Sequence, residues 1–195
     1  MRTVSTPLRP AVFLDRDGTI NRECHYLQRI DDFELLPGAP EALRKLQAAG
    51  FLLVVVTNQS GVARGYFSFE TVTEINRHMQ AVLAESGVVL DGIYVCPHHP
   101  TAGDGPLTRS CTCRKGSPGL LLQAAADLSI DLPRSWLVTR CPTLMPGVQQ
   151  GVARLRFSLK TIQRRSVWTE VAVLTALLLL HAIFLTGDRL FSGSF

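Results

Sequence analysis

The sequence predicts an α/β fold with a mainly parallel sheet and helices on both faces. Three observations carry that prediction. Short apolar runs alternate with segments of helical period over most of the chain. The run FLLVVV at 51–56 is almost wholly apolar, as a parallel strand covered on both faces requires. The elements follow one another as strand, helix, strand, helix, strand, then helix and strand again, the order of βαβ crossovers.

The elements run as follows. AVFL at 11–14 is the first strand, and APEALRKLQAAG at 39–50 is helical, with Leu43 and Leu46 on one face and Gly50 placed to stop it. After the apolar strand at 51–56, Ser68 caps a helix in which Val72, Ile75, Met79, Val82 and Leu83 keep helical spacing. VVLDGIYV at 88–95 reads as a strand, SPGLLLQAAADL at 117–128 as a helix, and SWLV at 135–138 as the start of another strand. Ligands of such sheets gather at the carboxyl ends of the strands, which directs attention to the residues just beyond them.

Composition narrows the function classes. A chain of 195 residues with 46% hydrophobic content buries enough surface for one domain. The net charge of +4 lies in residues 151–195, where Arg154, Arg156, Lys160, Arg164, Arg165 and Arg189 face only Glu170 and Asp188. The first 150 residues are therefore neutral overall, and the body lacks the basic footprint of a nucleic-acid binder. MRTVSTPLRP at the start has no signal-peptide apolar core, so a cytoplasmic protein is expected; a monomer is the expected state. In that compartment the five cysteines read as thiols or metal ligands rather than disulfides.

Asp15 and Asp17 follow the first strand, Thr57, Asn58, Gln59 and Ser60 follow the second, and Arg114 and Lys115 precede a later helix. Two carboxylates at one strand end repel each other unless a cation neutralises them. Magnesium does so with few protein oxygens, keeping positions for water and phosphate. One carboxylate can then attack phosphorus while the other protonates the leaving alkoxide and later deprotonates water. Thr57, nearby backbone N–H groups and Lys115 supply donors for the phosphoryl oxygens. Each residue taken singly has a plainer reading: acids cap helices, threonines end strands and lysines sit in solvent. The combination is what points to phosphoryl transfer.

FLDRDGTIN resembles the DxDGT signature of the haloacid-dehalogenase-like (HAD) phosphatases, and VVVTNQSGVARGYF resembles their second motif. CPHHP followed by CTCRKGSPGLL is similar to the zinc-containing branch that holds heptose bisphosphate phosphatases and histidinol phosphatases. The resemblance covers roughly residues 11–138. It implies a Rossmann-like fold with a small zinc loop and no large cap domain. It implies Asp15 as nucleophile and Asp17 as acid/base, with magnesium on the Asp15 side chain and the Asp17 carbonyl. By the same resemblance Thr57, Asn58 and Lys115 bind the transferring phosphate, with Gln59 and Ser60 beside them. Glu23, Cys24, His25, Tyr26 and Arg114 match positions that contact the sugar or second phosphate. TNQSGVARG looks more like the heptose than the histidinol enzymes, so a heptose 1,7-bisphosphate is the expected substrate and histidinol phosphate the alternative.

Cys96, His98, Cys111 and Cys113 form a second constellation. CxH and CxC pairs, separated by about a dozen residues, offer three thiolates and an imidazole, a tetrahedral zinc set. Such a zinc is structural and pins a loop that carries Arg114 and Lys115 directly after its last ligand. By the family pattern His99 stays free. Cys24 reads as an ordinary loop cysteine.

The chain departs from the family after SWLV, where the pattern demands Gly-Asp and further acids. It reads TRCPTLMPGVQQG instead, and no carboxylate stands between Asp131 and Glu170. The codons that specify Val138 to Pro146, read from the third base of the Val138 codon, can spell Asp-Ser-Leu-Ser-Asp-Val-Asp-Ala. The preceding GT lacks one base of a Gly codon. A phosphatase domain over 1–138 is thus followed by an out-of-frame tail over 139–195, to which Cys141 belongs. Two rival readings of the tail exist. VAVLTALLLLHAIFL at 171–185 suggests a membrane helix, but it contains His181 and falls short of the usual span of about twenty residues, so it reads as incidental. FLTGDRL sets Asp188 behind an apolar run, far out of register. Without the third acid the expected activity is impaired, and a noncatalytic zinc-stapled binding module is the alternative from another class. Resequencing the locus is the check on the frame: a missing base near Val138 is expected, and an uninterrupted frame with no neighbouring Gly-Asp coding phrase overturns it.

Overall fold

The computed structural model describes residues 7–139 and 156–158. Its centre is a five-stranded sheet in the order β3-β2-β1-β4-β5, formed by β1 (Ala11–Leu14), β2 (Leu52–Asn58), β3 (Gly92–Cys96), β4 (Trp136–Val138) and β5 (Arg156–Ser158). Every pairing is parallel. Among the described residues three α-helices connect the first four strands: α1 (Ala39–Ala48), α2 (Phe69–Glu85) and α3 (Gly119–Leu128). β5 lies within the stretch that the sequence sets apart as tail, and Cys141, the apolar run at 171–185 and Asp188 lie outside the described residues. Among the described residues no helix is long and apolar enough to cross a membrane.

Alternation along the strands decides which helix covers which face. Val12 and Leu14 of β1 with Leu53 and Val55 of β2 pack against Leu43 and Leu46 of α1 and Met79 and Leu83 of α2. Ala11, Phe13, Leu52, Val54 and Val56 point the other way, onto Leu120, Leu121 and Ala124 of α3. Both faces of the sheet are dry, which is why 51–56 shows no polar alternation. Val82, expected on the α2 stripe, is only half-buried.

The helix ends behave as the sequence predicts. The Ser68 hydroxyl accepts the Thr71 N–H at 3.2 Å and caps α2. Beyond α1, Gly50 takes φ +86°, its N–H bonds to Gln47 O at 3.0 Å, and the Phe51 N–H reaches Leu46 O at 3.3 Å. That pair of bonds closes the helix and needs a left-handed residue at the turn.

Two strand limits differ from expectation. β2 runs on through Thr57 and Asn58, so these residues belong to the strand rather than to the loop beyond it. β3 begins at Gly92, not Val88. Val88 and Leu90 are buried as an extended plug ahead of the strand, and Asp91 exchanges bonds with Leu53: its N–H donates to Leu53 O, and its carboxylate accepts the Leu53 N–H, both at 2.8 Å. A side chain thus does the work of a ladder carbonyl at that point. Replacing Leu43, fully buried under α1, by alanine is expected to cost about 2–5 kcal/mol in urea unfolding. The same change at exposed Leu122 should stay within about 0.5 kcal/mol.

Candidate active site and zinc loop

β1 delivers Asp15 and Asp17 just past its last pairing, and β2 delivers Thr57 and Asn58 beside them. Asp15 is buried. Its Oδ1 forms an ion pair with Lys115 Nζ and accepts the Arg16 N–H at 2.9 Å, while its Oδ2 accepts the Thr139 hydroxyl at 2.9 Å. Lys115 is held from behind, because its backbone N–H donates to Asn58 Oδ1 at 2.8 Å. Asn58 therefore acts by placing the lysine.

Asp17 is fixed by a different set. Arg16 grips it with two bonds, Nε to Oδ1 at 3.1 Å and NH2 to Oδ2 at 3.0 Å, and Asn21 Nδ2 adds a third at 3.1 Å. Gln59 Nε2 donates to Asp17 Oδ2 at 2.7 Å and to Thr57 Oγ1 at 2.9 Å, tying the β2 loop to the β1 loop. Arg16 has no exposed surface and its far end donates to Asn76 Oδ1 of α2 at 3.0 Å. The arginine is buried and the acid only half-buried, and the two bonds between them fix where the acid points.

Arg16, Asn21, Asn76 and Thr139 were not among the sequence candidates. Two signals could have found the first and third. Arg16 is a long cation at the end of a strand that runs into the core, and Asn76 is a polar residue on the apolar stripe of Val72, Ile75 and Met79. Nothing in the pattern marks Asn21 or Thr139.

The predicted substrate segment forms a wall of its own. His25 adopts φ +60° and its N–H donates to Glu23 Oε1 at 2.8 Å. A non-glycine residue there costs on the order of 1 kcal/mol or more, so the local bonding must hold it. Cys24 Sγ faces the carbonyls of Arg22 and Asp32 at 3.7 and 3.9 Å. Tyr26 meets Tyr66 edge-on at 4.8 Å between centroids and lies near Phe67. Gly61 fits beneath these rings, where a Cβ would come within 2.3 Å of Phe67 and 3.1 Å of Tyr26. A cleft of about 410 Å³ opens beside this segment, lined by Arg22, Cys24, Tyr26, Asp32 and Glu34 among others. Ser60 stays in the loop, its carbonyl accepting the Arg64 N–H at 3.1 Å.

Cys96, at the end of β3, meets His98, Cys111 and Cys113 so that all four donor atoms lie within 4.8 Å of one another. The Sγ of Cys113 is 3.3 Å from each of the other two sulfurs, and His98 Nδ1 is 3.2 Å from it. Ligands about 2.0–2.3 Å from a tetrahedral zinc stand roughly 3.5–3.8 Å apart, so the set fits zinc with small adjustments. Burial, then hydrogen bonding to Cys113, pushes the Cys96 thiol up. Burial, then Cys111, does the same to Cys113. At Cys111 burial also acts upward, but hydrogen bonds from Cys113 and Cys96 outweigh it and leave that sulfur lowered. Burial, aided by Arg109, lowers His98 and keeps the imidazole in the neutral form a metal ligand needs.

Further close contacts set the shape and place of the loop. Arg114 NH1 donates to His98 O at 3.0 Å. Gly119, opening α3, lies so close to Thr112 that a Cβ would sit 2.3 Å from its carbonyl oxygen. Gly103 presses on the β2 loop in the same way, where a Cβ would fall 1.8 Å from Ala63 O. His99 faces Arg64 and the N–H groups of Thr101 and Ala102, apart from the sulfur cluster.

For magnesium the donor set is thinner. Lys115 and Thr139 already engage both Asp15 oxygens, and the Asp17 carboxylate is taken up by Arg16, Asn21 and Gln59. The Cys/His set is the one group of three or more metal-binding side chains among the described residues. A hard divalent cation at Asp15 is one acid short of what its charge and oxygen preference ask.

No family model matches the chain. The chain is 52% identical over 132 residues to D-glycero-β-D-manno-heptose-1,7-bisphosphate 7-phosphatase of Escherichia coli K12, covering 66% of this chain and 68% of that protein. It is 51% identical over 131 residues to the protein of the same name from Pasteurella multocida, covering 67% and 71%. Among solved structures, one described as a HAD-like phosphatase from Mesorhizobium loti superposes with a TM-score of 0.76 at 34% identity, over 90% of this chain and 88% of that one. The D,D-heptose 1,7-bisphosphate phosphatase of B. bronchiseptica, solved with magnesium and phosphate, gives 0.67 at 27% identity, over 88% and 99%. Cys113→Ser is expected to lower zinc content, measured by atomic absorption, well below the parent's roughly one ion per chain and to expose residues 97–118 to proteolysis. Unchanged zinc content would remove Cys113 from the ligand set.

Proposed function

The chain belongs to the family of heptose-1,7-bisphosphate 7-phosphatases within the HAD-like phosphatases, and from that premise we propose that it is built to hydrolyse one phosphomonoester of a heptose bisphosphate. The observation that carries the reading is the convergence of three chain segments on the two carboxylates at the end of β1. Asp15 from β1 meets Lys115 from the zinc loop, and Thr57 from β2 is linked through Gln59 to Asp17.

Asp15 attacks phosphorus, the bond to the sugar oxygen breaks, and that oxygen takes a proton from Asp17. Asp15 then carries the phosphoryl group as an aspartyl phosphate. Asp17, now a base, removes a proton from water as that water attacks the same phosphorus, which frees Asp15 and inorganic phosphate. Lys115 and the Thr57 hydroxyl balance charge on the phosphoryl oxygens, and Arg16 and Gln59 hold Asp17 at its station. When bound, magnesium would be held by the Asp15 side chain and the Asp17 carbonyl and would supply charge neutralisation for phosphoryl transfer. Glu23, Cys24, His25, Tyr26 and Arg114 take the sugar and second phosphate. The names of the relatives favour the heptose substrate over histidinol phosphate.

The reading extends to the end of the chain. The phosphatase domain spans 1–138 and the tail 139–195 is out of frame, which removes the third acid and impairs turnover. Thiolate zinc ligands fit a reducing, cytoplasmic setting, in which the chain acts as a monomer. Assayed on heptose 1,7-bisphosphate and histidinol phosphate with and without magnesium, the frame-restored chain should turn over the heptose compound. The present chain should be slower by a factor on the order of a hundred or more. Asp15→Asn in the restored chain should abolish turnover with the fold intact by circular dichroism. Equal magnesium-dependent rates in both chains would refute the impairment, and turnover that survives Asp15→Asn would refute the mechanism.

A further inference from the structure

The loop between β2 and α2 is closed by its own backbone. The Val62 N–H donates to Gln59 O at 3.2 Å, Arg64 to Ser60 O at 3.1 Å, Gly65 to Val62 O at 3.0 Å and Tyr66 to Gly61 O at 2.9 Å. The zinc loop braces it, through His99 against Arg64 and Gly103 against the Ala63 carbonyl. The loop starts at Gln59, whose side chain bonds to Asp17 and Thr57. Gly61 follows two residues on, so the two Cα atoms lie within about 7 Å of each other.

What this loop presents is aromatic. Tyr66 is 50% exposed and Tyr26 37%, and their rings meet edge-on at 4.8 Å between centroids. Gly61 leaves no room for a side chain under Tyr26 and Phe67, so the corner is seated directly on the backbone. Among the described residues no hydrogen bond holds the Tyr66 hydroxyl. A half-exposed ring on a closed loop offers rigid apolar area at small entropic cost, which suits it to the carbon skeleton of a polar ligand. The cleft beside residues 22–34 is less suited to a bisphosphate, because Asp31, Asp32 and Glu34 line it with Arg22 as the one cation among its lining residues.

We propose that Tyr66 is a specificity-determining residue of this site, its ring, together with that of Tyr26, packing against the C–H face of the sugar ring of a phosphorylated ligand. The place of that ligand, with its phosphate at Asp15 and Lys115, rests on the phosphatase reading. Tyr26 belongs to the segment already expected to meet substrate and Tyr66 does not, and the ring contact between them is what brings residue 66 to that wall. The ring carries the interaction and the hydroxyl does not. The plainer reading makes Tyr66 a cover for Tyr26, and it predicts a change in stability with none in ligand preference.

The test is calorimetric titration of the full, zinc-loaded chain with magnesium present, in an Asp15→Asn background so that turnover does not intrude. The probes are heptose 1,7-bisphosphate, histidinol phosphate and inorganic phosphate. Tyr66→Ala should weaken the heptose compound about tenfold, and Tyr66→Phe should stay within about twofold of the parent. Inorganic phosphate, which has no carbon skeleton, should bind alike in all three. Undiminished heptose affinity in Tyr66→Ala overturns the proposal. So does an equal loss for inorganic phosphate, which would mean that the loop has moved, or a loss in Tyr66→Phe as large as in Tyr66→Ala, which would assign the effect to the hydroxyl. A larger loss for histidinol phosphate than for the heptose compound makes an imidazole the occupant and overturns the sugar assignment. If Tyr66→Ala fails to fold by circular dichroism, Tyr66→Leu, apolar but without a flat face, is read in its place against the same outcomes. Binding of neither organic phosphate by the parent counts against the phosphatase reading and takes the proposal with it, whereas parent binding that Tyr66→Ala leaves intact removes the proposal alone.

Discussion

The contact on which the rest of the site depends is the ion pair between Asp15 and Lys115. It joins the end of β1 to a loop that begins a full sheet strand away, after β3, and both side chains are withdrawn from water. Such a pair is net favourable only if the geometry is held from outside, because desolvating both charges offsets much of their attraction. Here the holding is explicit. Asn58 fixes the lysine backbone, Arg114 bonds to the carbonyl of a zinc-set histidine, and Gly119 brings α3 against the loop without a side chain between them. A metal on the Cys/His set would therefore help to fix where the Lys115 cation stands, although its ligands lie apart from Asp15.

Asp17 is treated differently from its neighbour two residues away. Asp15 is balanced by a residue from another loop, whereas Asp17 is balanced by the residue next to it in sequence, an arginine locked into α2 through Asn76. The two carboxylates thus differ in environment while sharing one strand end, which is the asymmetry that the proposed division into nucleophile and proton carrier requires. It also couples the site to the packing of α2, since Asn76 sits among Val72, Ile75 and Met79 on the buried face of that helix.

Much of this is legible in the sequence. The strand at 11–14 and the helices around Leu43, Ser68 and Leu120 follow from apolar period, caps and glycine stops, because those signals are local. The Cys/His set follows from ligand spacing, and the two acids from their place at the end of an apolar run. Val88 and Leu90 misled the pattern: they are apolar because they plug the core, and Asp91 replaces the ladder bonds that a strand would have made. An apolar run states that residues are buried, not how their backbone is paired.

What the sequence determined by itself was the inventory of chemistry: two acids, a lysine, a zinc set, and the absence of a third acid after Val138. What only the tertiary structure decided was which of these groups touch. Arg16 could have pointed to solvent, and Thr139 could have been any strand-end hydroxyl. That Arg16 turns inward onto Asp17, and Thr139 onto Asp15, follows from the parallel register of β1 with β4 and from α2 packing over the sheet. Contacts across more than a hundred residues depend on register and burial, which no local run of the chain encodes.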